Sequence, residues 1–384
     1  MEQLEKLIIK PYQYLHAVGP LVIVIDALDE SGDQSCRRHL LRTISTQINE
    51  NTIPAHLRFF ITARPESDIL AALASCPHLA HKHIGDIPVQ IADEDIRKFI
   101  QSSLGHCPEL ESLYPNQEWC RLLVQCSQRI FQWAVTACNF IQDDASGLTL
   151  RDRFKLLVQP DNSDDAHPLD KLYRTVLEQQ FALDTSRSHF REVMAVVLAL
   201  QEPLSMKSLS AIFAGELKFQ DIIKPLESLL GGVLDEEKPI RPLHSSFRDF
   251  LLDEARSSIF HVRIQPQHSL RLGRASLACM RKMLRFNICD LKDSRTRNTA
   301  IPDLPHRVSK AIPPHLAYSC RYWMHHLQFA ACTPDLLNEL TLFFKGMFPY
   351  WLEAISLLSL SSPQSVIQSA LETCTILMKW TKVS

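Results

Sequence analysis

Glycine is scarce in this sequence. None of the ten glycines among its 384 residues is followed by lysine, so the chain holds no G-x-x-x-x-G-K-[ST] loop of the kind whose backbone N–H groups cradle phosphates. No stretch recurs at a fixed period, which excludes a propeller-like repeat array. Eleven cysteines are scattered without one C-x-x-C pair. Their odd total points to reduced, mostly buried thiols in the cytoplasm rather than to a disulfide framework or a zinc site. Neither sign of charge dominates: 41 basic and 43 acidic residues give a net charge of −2. That balance leaves no electrostatic footprint for nucleic acid or an anionic membrane. No apolar run approaches the roughly 20 residues needed to span a bilayer. Residues 1–10 are amphipathic and carry two glutamates, not the basic-then-apolar order of a signal peptide. At 46% hydrophobic and 22% charged, the composition is that of an ordinary globular protein with room for two to four domains.

The most informative stretch present is Leu21-Val-Ile-Val-Ile-Asp26-Ala-Leu-Asp29-Glu30. Five consecutive apolar residues running into an aspartate predict a strand buried on both faces of a parallel sheet. A carboxylate at the carboxyl end of such a strand stands where ligands bind in open α/β sheets. Before it, residues 1–16 read as a helix with Leu4, Leu7 and Ile8 on its apolar face and Pro11 near its end. After it, Asp33 can cap a helix running toward Asn49, with Leu40, Leu41, Ile44 and Ile48 inward. Arg58-Phe-Phe-Ile-Thr62 predicts a second strand, ending in Ala63-Arg64-Pro65-Glu66, where Pro65 can open the next helix. Pro88-Val-Gln-Ile91 fits a third short strand before a helix from Asp93 with Ile96, Phe99 and Ile100 on one face. Strands alternating with helices imply a parallel α/β sheet.

Beyond residue 105 the strand signal fades. Helical patterns cover residues 116–128, 130–142 and 148–158, and Gln159 to Pro168, rich in turn formers and acid, reads as a linker. Helices follow near 169–182, 188–200, 205–214 and 219–230, the last ending at Gly231-Gly232. Two brief strands, Val233-Leu234 and Ile240-Arg241, flank a turn, and a helix over Ser245–Glu254 closes the unit. Helices followed by a tight β-wing fit a winged-helix plan. From about 266 onward the pattern is all-helical.

Asp26, Asp29 and Glu30 place three carboxylates past one strand end, a crowding that costs repulsion unless a cation or another partner offsets it. Asp26 is positioned to hold Mg²⁺ through water, and the second acidic pair could polarise an attacking water. Taken alone, an aspartate after an apolar run is also a common way to begin a turn. Arg64, at the end of the neighbouring strand, could meet a terminal phosphate bidentately or lie as a plain surface arginine in a loop. His244, in Leu243-His-Ser-Ser-Phe247, is by spacing alone a histidine flanking a helix. His325 and His326 are adjacent on a helix and point about 100° apart, so helix packing accounts for them better than a shared metal. Ser245 and Ser246 lack the G-x-S-x-G elbow of a nucleophilic serine.

Together these residues resemble a known family. Val24-Ile-Asp26-Ala-Leu-Asp29-Glu30 resembles the Walker B segment of NACHT-domain proteins, members of the STAND class of P-loop NTPases, and Phe60-Ile-Thr-Ala-Arg64-Pro65-Glu66 resembles their sensor 1. Ile130-Phe-Gln-Trp-Ala134 is similar to a motif of the helical domain that follows. His167-Pro-Leu-Asp170-Lys-Leu-Tyr173 is similar to the entry of the winged-helix domain in fungal, basidiomycete-type members associated with WD40 repeats. The resemblance implies an α/β fold followed by all-α. Residues 1–105 would be the C-terminal part of the NACHT nucleotide-binding domain, a partial P-loop NTPase parallel sheet. Residues 106–160 would form a small helical domain, 161–265 the winged-helix domain and 266–384 a C-terminal helical domain. It implies an ATP/ADP-controlled oligomerisation switch in self/non-self or defence signalling, with Mg²⁺ as the metal and self-association or other NACHT proteins as partners. By resemblance Asp26 serves Mg²⁺, Asp29 and Glu30 support hydrolysis, Arg64 approaches the γ-phosphate and His244 contacts the β-phosphate of ADP. The missing phosphate loop implies a chain truncated at its N-terminus, with no ATP turnover of its own. The alternative is a non-enzymatic interaction or scaffold protein derived from a NACHT protein.

Overall fold

A computed structural model describes residue 6 and residues 10–13, 21–31, 34–49, 57–74, 80–143, 147–159, 166–293, 295–328, 330–331 and 333–358. The chain divides into two compact units, Met1–Pro88 and Val89–Ser384. Among the described residues it is mostly helical, with one small parallel sheet. No described helix is long and apolar enough to cross a membrane.

In the first unit, strand β1 (Leu21–Ile25) pairs in parallel with β2 (Leu57–Ile61), Leu21 opposite Leu57 and Ile25 opposite Ile61. The crossover between them carries helix α1 (Gln34–Asn49), and α2 (Ser67–Leu73) follows β2. Leu28, Leu41 and Ile69 form the core of this unit, with Ile25, Leu40, Ile61 and Ala72 against it. Among the described residues the sheet is covered on one face, not on both as its apolar run suggests. Val22 and Val24 are 51% and 62% exposed, and Phe60 is 58% exposed. An unbroken apolar strand records that both faces can be buried, not that two layers are present. The Asp33 cap, the Ile48 side chain and most of the helix expected over residues 1–16 lie outside the described residues; Lys10–Gln13 are helical. Helix α2 starts at Ser67, so Pro65 stands two residues ahead of it rather than at its first position.

The expected third strand is absent. Val89 opens a sixteen-residue helix, α3 (Val89–Leu104). Three alternating residues are too few to separate the two periods. The helical one prevails because Ile96, Ile100 and Leu104, spaced four apart, are all buried, while Val89 and Ile91 stay exposed. The division between units therefore falls after Pro88. Helix α3, which the sequence places at the end of the 1–105 segment, packs into the core of the second unit.

That core runs from Ile96 to Leu272 and takes in Tyr318. It is built on α4 (Pro108–Leu113), α5 (Glu118–Ser127), α6 (Phe131–Gln142), α7 (Leu150–Val158), α8 (Pro168–Gln180) and α9 (Asp184–Ala199). Of the expected linker, residues 160–165 lie outside the described residues, and Pro168 takes the first position of α8, where its missing N–H costs nothing. Next come α10 (Met206–Ile212) and α11 (Phe219–Ile223). The helix expected to reach residue 230 stops early, because Pro225 cannot donate an α-helical bond and the chain tightens into the 3₁₀ turn Lys224–Leu226.

A two-stranded antiparallel wing follows, β3 (Leu230–Gly231) with β4 (Arg241–Pro242). Its first strand lies earlier than the expected Val233-Leu234, since Gly232 already turns the chain at φ +81°. A Cβ on Gly232 would lie 2.4 Å from the Pro239 carbonyl oxygen. Gly232→Ala is therefore expected to cost about 2 kcal/mol, read as a lowered urea midpoint in tryptophan fluorescence. The wing is tied back to the entry of α10 by Ile240 N–H donating to the Leu204 carbonyl at 2.9 Å. After the wing, α12 (Ser245–Leu252) ends before Asp253, whose carboxylate caps the short α13 (Glu254–Ser257) by accepting from the N–H groups of Ala255 and Arg256. The expected single helix over Ser245–Glu254 is thus broken by a competing N-cap.

A second core joins α14 (Pro266–Met283), α15 (Leu304–Ala311), α16 (Pro314–Leu327), α17 (Pro334–Gly346) and α18 (Phe348–Leu358) around Trp323 and Trp351. Helices α14 and α16 pack side by side, and Leu327 lies over Gly273, where any Cβ would collide with it.

Candidate functional site

The parallel register brings the ends of β1 and β2 together, and with them four of the five residues singled out in the sequence. Thr62 N–H continues the ladder to the Ile25 carbonyl at 3.0 Å, and Leu28 N–H returns to the Thr62 carbonyl at 2.9 Å. Between these bonds the chain turns at Ala27, held at φ 50°, ψ 51°. A left-handed conformation is costly for a bulky or β-branched side chain and tolerable for alanine. The small residue after Asp26 thus has a backbone reason.

Thr62 cross-links the two strand ends. Its hydroxyl donates to the Asp26 carboxylate and accepts from Ala27 N–H, the latter at 2.8 Å. Asp26 is exposed, so its carboxylate and the Thr62 hydroxyl present hard oxygens to solvent, a donor set that suits Mg²⁺ held mainly through water. Asp29 is tied down. One carboxylate oxygen accepts from Arg64 N–H at 3.0 Å, and the other meets the Arg64 guanidinium at 3.3 Å, with the Asp29 side chain 9% exposed. Its carbonyl accepts from Arg37 at 2.9 Å, and Arg37 reaches on to Asp68 in the first turn of α2. Burial alone would raise the Asp68 carboxyl; the Arg37 guanidinium outweighs it and holds the group below the usual carboxylate range. Glu30 is exposed, and its carboxylate has no partner among the described residues.

Two of the three carboxylates thus meet partners within the protein: the Thr62 hydroxyl serves Asp26 and the Arg64 guanidinium serves Asp29. Among the described residues no group of three or more His, Cys, Asp or Glu side chains is placed to hold a metal ion. A Mg-nucleotide would draw on Asp26 and Thr62, with the phosphates supplying further oxygens. Thr62 carries no role in the sequence pattern. A polar residue ending the strand parallel to the one that ends in Asp26 was the available signal.

His244 belongs to the second unit, where it is the N-cap of α12. Ser246 N–H donates to His244 Nδ1 at 3.1 Å, and the Ser246 hydroxyl lies 2.7 Å from the same nitrogen. On its other side that hydroxyl is 2.8 Å from the Tyr173 hydroxyl. Tyr173 is buried, its ring packed against Phe247 and Phe250 at centroid distances of 5.1 and 5.4 Å. The HPLDKLY segment therefore supplies two contacts to this region. Asp170 binds the Arg256 guanidinium at 2.7 and 3.0 Å, and Tyr173 reaches the serine beside His244.

Of the paired histidines, His326 is buried and shares a 2.7 Å hydrogen bond with Tyr318, while His325 flanks it at a steep interplanar angle of 84°. That is helix packing, in line with the sequence reading of the pair. No family model, no curated protein and no solved structure matches the chain.

Proposed function

We propose that this chain is part of a nucleotide-controlled signalling switch of the NACHT type, in which the two parallel strand ends serve Mg-ATP and His244, in the second unit, serves as a phosphate contact. One observation carries the reading: β1 and β2 end in register with an exposed Asp26 bound by Thr62 and an Asp29 bound by Arg64. In that role Asp26, with Thr62, serves Mg²⁺, which would neutralise phosphate charge. Glu30 is the carboxylate left to polarise water, Arg64 is the sensor of the terminal phosphate, and His244 contacts the ADP phosphate. Asp29 supports hydrolysis indirectly, by setting where the Arg64 guanidinium points. The helices, the wing and α12 fit a winged-helix domain, followed by a C-terminal helical domain. The apolar surface of Val22, Val24 and Phe60 suits a further layer of helices, which parallel sheets ordinarily carry on both faces. Self-association through related chains would be the output.

The chain contains no G-x-x-x-x-G-K-[ST] loop, so turnover of ATP by this chain alone is expected at background. Turnover that is abolished by Glu30→Gln would overturn that expectation. The site itself is tested by titrating a fluorescent ADP, with Mg²⁺, into a form extended at its N-terminus by a strand, phosphate loop and helix. His244→Ala should weaken ADP binding about tenfold, and Asp26→Asn should remove the Mg²⁺ dependence. An unchanged ADP affinity in His244→Ala sinks the assignment of that histidine. A second reading, a non-enzymatic scaffold derived from such a protein, is favoured by the closed Asp29–Arg64 pair. It predicts that the extended form binds nucleotide without hydrolysing it.

A further inference from the structure

Helix α9 carries Ser188, Arg191 and Glu192 at i, i+3 and i+4, and α14 carries Gln267, His268 and Arg271 at i, i+1 and i+4. Each set falls on one face of its helix. With Glu254, Ser258 and Arg263 from the chain between α12 and α14, these faces line a groove of about 670 Å³ within the second unit. Phe190 and Phe260, both fully buried and edge to face at a centroid distance of 5.7 Å, lock α9 to the 3₁₀ turn Ser258–Phe260 beside it. Three guanidiniums and two carboxylates line the groove. Arg271 pairs with Glu192 and, at 3.8 Å, with Glu216, and Arg263 pairs with Glu254 at 3.3 Å. Arg191 is half-buried and pairs with no carboxylate among the described residues; it donates to the Ile259 carbonyl at 2.7 Å, which uses one of its five N–H donors. Burial holds the His268 imidazole below its ordinary value, so at neutral pH that ring adds no charge. One guanidinium is therefore left in the groove without a counter-charge from the chain.

The rest of the lining bears on what such an anion is attached to. Ile259 is its single apolar residue. Ser188, Ser258 and Gln267 offer hydroxyl and amide groups that donate and accept, and their side chains have no hydrogen-bond partner among the described residues. A cavity of this volume is far larger than a bare inorganic anion and lies in the range of sites for whole small molecules. We propose that the groove binds a small hydroxylated oxyanion, a sugar phosphate or a sugar acid. Arg191 takes the charged group with its planar fork, and the serine and glutamine side chains meet the hydroxyls. This site belongs to the second unit alone and does not rest on the switch reading given above.

The test is isothermal calorimetry of the full chain at neutral pH and low salt, without nucleotide, using glucose-6-phosphate, gluconate, glucose and inorganic phosphate as probes. Glucose-6-phosphate or gluconate should bind with a dissociation constant below about 1 mM, and the tighter of the two identifies the charged group. Glucose and inorganic phosphate should each bind at least about tenfold more weakly, since one lacks the charge and the other the hydroxyls. Arg191→Met should weaken the tighter probe about tenfold, the loss of a charge-assisted hydrogen bond. Glu254→Gln removes an exposed carboxylate and releases Arg263, so it should tighten the same probe about threefold. Absence of binding by both charged sugars overturns the proposal, as does glucose or inorganic phosphate binding equally well. An affinity unchanged in Arg191→Met overturns it too. Should Arg191→Met lose helical circular dichroism, because it also holds the Ile259 carbonyl, Glu254→Gln carries the test, and an affinity that fails to rise there overturns the site.

Discussion

Arg256→Met is expected to destabilise the second unit by about 3 kcal/mol, among the largest effects of any single substitution outside the apolar cores. The reason lies in what is left behind. Asp170 is 4% exposed and accepts from Arg256 through both carboxylate oxygens, at 2.7 and 3.0 Å. Removing the guanidinium strands a carboxylate where water does not reach it. The Asp170 hydrogen bond and charge in turn hold the Arg256 guanidinium above its ordinary value. Arg174, one turn along α8, donates twice to the Arg256 carbonyl, at 3.0 and 2.7 Å, so backbone and side chain of Arg256 are both gripped by the same helix. A double variant, Asp170→Leu with Arg256→Met, should recover most of the loss, since it removes the buried charge along with its partner. Urea unfolding followed by the fluorescence of Trp119 and Trp133, both in the first core, reads the difference. A loss below about 0.5 kcal/mol for Arg256→Met would place the pair among solvent-screened surface bridges and refute the argument.

The parallel strands were legible because five apolar residues between polar ones leave few alternatives, and most helices were legible from their spacing. Pro88-Val-Gln-Ile91 was not, because three alternating residues satisfy both periods and only the burial of Ile96, Ile100 and Leu104 decides between them. The wing was displaced for a similar reason: Gly232 adopts a left-handed turn that its glycine neighbour Gly231 could equally have taken. The open sheet face was illegible in principle. Val22 and Val24 have the same composition whether a layer covers them or not.

For the candidate site, Asp26, Asp29, Glu30 and Arg64 could be placed from sequence because each stands just past a strand end. What the sequence withheld is which groups meet them: the fold supplies the Thr62 hydroxyl to Asp26 and the Arg64 guanidinium to Asp29, and leaves Glu30 exposed. Tyr173 could not be connected to Ser246, nor Arg256 to Asp170, since those contacts join residues 73 and 86 apart through packing. Serine beside histidine was weighed as a nucleophile and set aside. In the fold the Ser246 backbone N–H donates to that histidine.

His326→Gln is expected to reverse in sign with pH. Burial, with a smaller contribution from the neighbouring His325, pushes the His326 imidazole from its ordinary 6.5 down to about 4. Its Nε2 shares a 2.7 Å hydrogen bond with the Tyr318 hydroxyl, which accepts from Gln201 N–H at 3.2 Å. Burial works against a charged ring. The folded value lies below the unfolded one, so between them the unfolded chain binds more protons. The stability contributed by the neutral ring is complete above about pH 6.5 and is lost as pH falls toward 4, the unfolded state gaining about 2 kcal/mol by pH ~4.5. Glutamine can accept from Tyr318 through its amide oxygen and does not titrate. At pH ~7.5 it should therefore be the less stable protein by about 1 kcal/mol, for imperfect packing. Near pH ~4.5 the order should invert. The check is a pair of urea titrations at each pH, followed through Trp323 and Trp351, which lie in the second core. A constant difference between wild type and His326→Gln across that range would mean that the ring titrates normally, and that the Tyr318–His326 bond is not the neutral contact its geometry describes.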